Sequence, residues 1–204
     1  MNASSESDSY LTLARPAEGL YREKGSKFIA YAKPVESDQD IRRMLEQLRK
    51  EHFSARHICY AWRLGPDRNN WRANDDGEPS GTAGRPILGQ IDSFGLSDAM
   101  VAVVRYFGGI LLGTGGLTVA YREASADALR HSETTIKVLK EAFWVEYPYH
   151  MTPEIQQVIK EFEPEISNAE YQADCRATFL LPKSRSEAFA QRIGKWPEIT
   201  CKKS

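Results

Sequence analysis

Few of the features that name a chemistry outright are present. There are three cysteines in 204 residues, Cys59, Cys175 and Cys201, an odd number without the paired spacing of a metal site. They are expected to be buried or half-buried thiols in a reducing compartment. No charge sign dominates: 27 Lys and Arg stand against 28 Asp and Glu, a formal net charge of −1. Residues 1–140 carry 19 basic and 18 acidic side chains, and residues 141–204 carry 8 and 10. A globally basic nucleic-acid-binding domain is therefore excluded, and any polyanion contact has to come from a local patch. No apolar run reaches the ~18–20 residues of a membrane span. The first residues, Met1 to Ser9, lack the basic start and apolar core of a secretory signal, so a cytoplasmic protein without membrane contact is expected. A Gly-x-Ser-x-Gly elbow, a His-Glu-x-x-His pair and a Gly-Lys-Ser/Thr loop closure are all missing.

What is present is a strong order of local patterns. Residues 1–10 are polar and Ser-rich and read as a frayed start. Two strands are expected over 11–24 and 26–35, turning at Gly25-Ser26. Ser37 and Asp40 form an acidic variant of the capping box, and Ile41, Met44, Leu45 and Leu48 share one helical face after it. Residues 57–64 read as a strand with a partner near 71–74, and Tyr60 and Trp62 share strand parity. Pro86 suits a first helical position, with Ile87, Leu88, Ile91 and Phe94 on the apolar face. A buried strand over 99–107 leads through glycines into a helix from Thr114 to about His131, with Leu117, Ala120, Tyr121, Ala124 and Ala128 inward. The character changes after Glu133-Thr134-Thr135. Strand 143–147, a helix capped by Thr152, strands 165–171 and 173–181, a helix from Ser184 and a strand within 197–203 give β-α-β-β-α-β. That is the split unit of a ferredoxin-like domain.

Two stretches carry the candidate chemistry. Gly108-Gly109-Ile110-Leu111-Leu112-Gly113-Thr114-Gly115-Gly116 packs five glycines into nine residues between a strand and a helix start. Such a loop presents backbone N–H groups to a phosphate or carboxylate, and it also serves as a tight connection where backbones crowd. Arg105, Tyr106, Tyr121 and Arg122 flank it. Asp75-Asp76-Gly77-Glu78-Pro79-Ser80-Gly81-Thr82-Ala83-Gly84-Arg85-Pro86 is too rich in Gly, Pro and acids for regular structure. Its carboxylates suit a hard cation in type but lack a histidine or further acidic cluster, so no metal is expected. Beside Arg85 they suggest a loop held by ion pairs or a site of mixed sign. His57, next to Arg56, has the chemistry of an acid or base, although a single histidine is more often structural. Trp62, Trp71 and Tyr106 have the ring faces that stack on bases.

The two stretches together, with Lys24-Gly25-Ser26-Lys27-Phe28 and Ala55-Arg56-His57, resemble the signature of the IMPACT family over about residues 15–131. The bacterial two-domain members are the nearest in pattern. This resemblance implies an α+β protein: residues 1–137 as an IMPACT-type domain like the second domain of ribosomal protein S-five, and residues 138–204 as a ferredoxin-like domain like the last domain of elongation factor G. It also implies eukaryotic relatives that regulate translation. Val119 stands where the resemblance implies a basic residue, which leaves Arg122 for that role.

The expectation is a non-enzymatic binding protein linked to translation, contacting RNA or a ribosome-associated partner through a cleft between loops 75–86 and 105–117. Arg56, His57, Arg85, Arg105, Tyr106, Gly108, Gly109, Gly113, Gly115, Gly116, Tyr121 and Arg122 would receive the anion. Asp75, Asp76, Glu78 and Thr82 would form the other wall, with no catalytic residue and no cofactor. The alternative is an enzyme acting on a phosphorylated or carboxylated small molecule in the same cleft, with Asp76 or Glu78 as base or metal ligand and His57 assisting.

Overall fold

The computed structural model describes residues 8–204, so the frayed start expected for 1–10 lies, over 1–7, outside the described residues. The fold mixes α and β, with antiparallel sheets. Contacts divide the described residues into two compact units, Tyr10–Lys137 and a second made of Val138–Ser204 with Asp8 and Ser9.

In the first unit, β1 (Ser9–Leu13) is followed by β2 (Ala17–Glu23), β3 (Ser26–Pro34), α1 (Asp38–Glu51), β4 (His57–Leu64), β5 (Asn70–Asn74), α2 (Gly84–Ser93), β6 (Ala99–Tyr106), α3 (Gly113–Arg130) and β7 (Thr134–Val138). A five-stranded antiparallel sheet runs in the order β2-β3-β6-β4-β5. The central β6 is buried from Ala99 through Arg105, which is why its sequence is a nearly unbroken apolar run. One face of the sheet packs Phe28, Ala30, Cys59, Ala61, Val101 and Val103 against α2 and α3 through Ile87, Ile91, Leu117 and Tyr121. The other packs Ile58, Tyr60, Trp62, Met100 and Val104 against Ile41, Met44, Leu45 and Leu48 of α1. With a helix layer on each side, Tyr60 and Trp62 are both buried. Ser37 caps α1: its Oγ accepts from Asp40 N–H at 3.2 Å and donates to Asp40 Oδ2 at 2.7 Å.

The structure corrects several local expectations. The strand expected over 11–24 is two strands, β1 and β2, interrupted at Ala14-Arg15-Pro16, and β1 pairs with β7, an element the sequence does not announce. Asp98 supports that pairing: its carboxylate accepts from Tyr10 Oη, from Lys137 Nζ at 2.8 Å and from Gly65 N–H at 2.8 Å. The β2–β3 turn is Lys24-Gly25, both at positive φ (45° and 78°), the geometry of a two-residue hairpin loop whose twist matches the strands. Pro86 is the third residue of α2, where its missing N–H still costs no intrahelical bond.

In the second unit, β8 (Lys140–Pro148), α4 (Thr152–Phe162), β9 (Glu165–Glu170), β10 (Asp174–Pro182), α5 (Lys183–Ile193) and β11 (Thr200–Lys203) form a sheet in the order β11-β8-β10-β9, all antiparallel. Phe189 of α5 centres the core, with ring centroids 5.1, 5.5 and 5.8 Å from Phe143, Phe162 and Phe179. Thr152 lies inside α4 rather than capping it; its hydroxyl donates to Tyr149 O at 2.5 Å.

Candidate functional site

A cavity of about 410 Å³ opens in the first unit between the 75–86 and 105–117 segments. Arg56, His57, Glu78, Pro79, Arg105, Phe107, Leu111, Leu112, Gly113, Thr114 and Leu117 line it. Three pieces of backbone logic build it. Arg105 is the next-to-last residue of the central strand β6, buried between Phe28 of β3 and His57 of β4 where the strand runs into the loop. Arg56 and His57 stand at the start of β4, which pairs with β6 so that His57 faces Arg105 across the ladder. Gly113 and Thr114 open α3, an 18-residue helix whose start has no side-chain cap, leaving its first N–H groups without that partner.

The electrostatic centre is a buried pair. Arg105 is 7% exposed and Glu78 8%, and Arg105 Nη1 donates to Glu78 Oε1 at 2.5 Å. Tyr121 Oη donates to the same oxygen at 2.8 Å. Below it, Cys59 Sγ lies 3.0 Å from Asp75 O and 3.3 Å from Tyr121 Oη, two acceptors that share its one S–H. Burial raises both the Tyr121 hydroxyl and the Cys59 thiol far above their ordinary values, so both are neutral donors. The guanidinium of Arg105 lies 5.5 Å from the Phe28 ring centroid and 5.7 Å from that of Phe107. Its contact with Glu78 is not the bidentate fork that guanidinium and carboxylate can form. Arg105 Nε is buried and has no hydrogen-bond partner among the described residues. A buried unsatisfied donor typically costs about 1–3 kcal/mol, more when charged.

The acidic loop is organised from within. Asp75 accepts three backbone bonds, from Gly81, Ala83 and Gly84 at 2.8, 3.0 and 2.8 Å, and so caps the start of α2 from outside the helix. Burial raises its carboxyl, but these three donors outweigh burial and hold it below its ordinary value. Asp76 accepts from Ile58 N–H at 2.8 Å through Oδ2, and its carbonyl accepts from His57 Nδ1 at 2.7 Å. That carbonyl requires the proton on Nδ1, which leaves Nε2 as the acceptor in the neutral ring. The Thr82 hydroxyl donates to Pro79 O at 2.7 Å.

Of the residues expected at the site, Arg56, His57, Glu78, Arg105 and Gly113 meet in the cavity lining. The others lie elsewhere. Arg85 stacks over Trp71 at 5.0 Å rather than pairing with the acidic loop. Arg122 pairs with its neighbour Glu123 at 3.2 Å on α3. Tyr121 is buried beneath Glu78. Tyr106 Oη bonds His52 Nδ1 at 2.8 Å. Asp75 and Thr82 are spent on backbone bonds, and Asp76, whose Oδ2 accepts from Ile58 N–H, does not line the cavity. Gly108 is packed against the β2–β3 turn: a Cβ there would stand 1.9 Å from Gly25 C. Gly109 and Gly115 face open space, and Gly116 sits beside Leu112. As base-stacking faces, Trp62 is buried and Tyr106 is tied to His52, which leaves Trp71, exposed and with Arg85 over its ring. The apolar lining, Pro79, Phe107, Leu111, Leu112 and Leu117, was not expected as a site; its signal in the sequence is Leu111-Leu112 inside a glycine loop.

Fold and cleft define a mixed α/β protein whose five-stranded, helix-covered unit carries an arginine-centred cavity. The Impact N-terminal domain family model matches residues 24–129. The chain is 35% identical over 188 residues to IMPACT family member YigZ of Escherichia coli, covering 91% of this chain and 92% of YigZ. It is 30% identical over 183 residues to IMPACT family member YvyE of Bacillus subtilis, covering 90% and 84%. A crystal structure of a hypothetical protein is similar at 33% identity and a TM-score of 0.71, covering 95% of this chain and 96% of that one. The chain belongs to the IMPACT family.

Proposed function

We propose that this chain is a non-enzymatic cytoplasmic binding protein linked to translation, and that its cleft receives an anionic group of RNA or of a ribosome-associated partner. The observation that carries the reading is Arg105: a buried guanidinium lining the cavity, held on one side by Glu78 and left with an unpaired Nε. The uncapped start of α3 supplies backbone donors to the same cavity, and Arg56 adds a second positive charge. The link to translation rests on family membership and on the translation regulators that the resemblance implies among eukaryotic relatives. Absence of a transmembrane helix among the described residues is compatible with this setting.

The same reading takes residues 1–137 and 138–204 as two domains. The first is of the ribosomal-protein S-five second-domain type. The second is ferredoxin-like, which its β-α-β-β-α-β order and its sheet order of fourth, first, third and second strand support.

Co-sedimentation of the purified chain with ribosomes tests the proposal. Binding is expected at low salt and falls steeply as salt rises, because anion contacts release counterions. Absence of binding at low salt removes the reading.

A further inference from the structure

The cleft is not shaped like a track for a polyphosphate backbone. Its cations number two, Arg56 and Arg105, and Glu78 neutralises one of them. Arg85 and Arg122, which would extend a basic path, are turned to Trp71 and Glu123. The remainder of the lining is mostly aliphatic: Pro79, Leu111, Leu112 and Leu117, with Phe107 at the edge of the Arg105 guanidinium. Leu111 is 84% exposed and Phe107 50%, next to Ile110 at 55%, so an apolar rim continues the lining outward. Three leucines and one surplus positive charge in about 410 Å³ complement one negative charge joined directly to an aliphatic group.

We infer that the cleft captures the C-terminal end of a partner protein whose last residue is aliphatic. This rests on the reading that the cleft receives an anion, and it chooses protein over RNA. A terminal carboxylate carries its charge beside its last side chain. The Arg56 and Arg105 side chains and the first N–H groups of α3 receive the carboxylate, the capture of a chain end by backbone donors seen in other recognition modules. Leu112 and Leu117 receive the side chain, and the exposed Leu111 covers the segment behind it. Glu78 fixes the guanidinium and rejects a second negative charge.

The test is an NMR titration of the ¹⁵N-labelled full chain, following the Arg105 Nε–H and the Thr114 amide. The probes are a short peptide ending in two leucines, the same peptide as its C-terminal amide, isocaproate, inorganic phosphate and an oligouridylate. The free-carboxylate peptide is expected to shift both resonances, and the amide to bind about tenfold or more weakly. Leu111→Ser, a change at an exposed position, should weaken the peptide about fivefold. Equal binding of acid and amide, or isocaproate binding as tightly as the peptide, overturns the inference. Shifts produced only by phosphate or the oligouridylate also overturn it while leaving the anion-receiving cleft intact. If no probe moves either resonance, the cleft reading falls with it.

Discussion

Arg105 and Glu78 are 27 positions apart, and each is ordinary in its own segment: an arginine ending an apolar strand, a glutamate in a turn-rich loop. Their burial against each other could not be read from periodicity, because a loop of Gly, Pro and acids has no period. Breaking the pair by Glu78→Gln leaves a buried guanidinium without its counter-ion and is expected to cost about 3–5 kcal/mol in chemical denaturation. Tyr121→Phe removes one donor to the same oxygen while keeping the ring that meets Phe28 edge-on at 5.1 Å. It should cost about 1 kcal/mol in the same assay. Arg105 itself was legible as a candidate. What the sequence hid is that its neighbours in the cavity are leucines, and that Arg85 and Arg122 have other partners.

Elements with a clear period were the legible ones. The face Ile41, Met44, Leu45 and Leu48 specifies α1, and Leu117, Ala120, Tyr121, Ala124 and Ala128 specify α3. The β1–β7 pair was not legible because β7 is five residues with four of them exposed, so no buried face marks it. The glycine loop separates into two physical cases. At Gly108 a side chain would collide with the backbone of Gly25 and Ser26, so Gly108→Ala is expected to destabilise by about 1–3 kcal/mol. At Gly115, inside α3 with nothing near the Cβ position, Gly115→Ala should raise stability by about 0.5–1 kcal/mol. Thermal or urea unfolding of the two variants side by side checks the contrast. The α2 start gives a pH signature. Asp75 is held below its ordinary value of 3.8, so the stability it contributes is complete above that value. It is lost as the pH falls through the lower, folded-state value. Urea midpoints measured from about pH 5 down to about pH 2.5 should fall less steeply for Asp75→Asn than for the unaltered protein, because this term is gone.

At the scale of the whole molecule, net charge of −1 offers no long-range attraction to ribosomal RNA, so any affinity has to arise from a local site. The cavity lies wholly within Tyr10–Lys137 and is the place where two cationic side chains, an uncapped helix start and an apolar lining meet. The most direct measurement is the affinity of the full chain for ribosomes at low salt, compared between Arg56→Gln and Arg122→Gln, with circular dichroism confirming the fold of each. Arg56 lines the cavity, whereas Arg122 lies outside it and pairs with Glu123. The account predicts a loss of about tenfold for Arg56→Gln, the effect of one charged contact, and a change within about twofold for Arg122→Gln. Equal affinities for the two variants would contradict it.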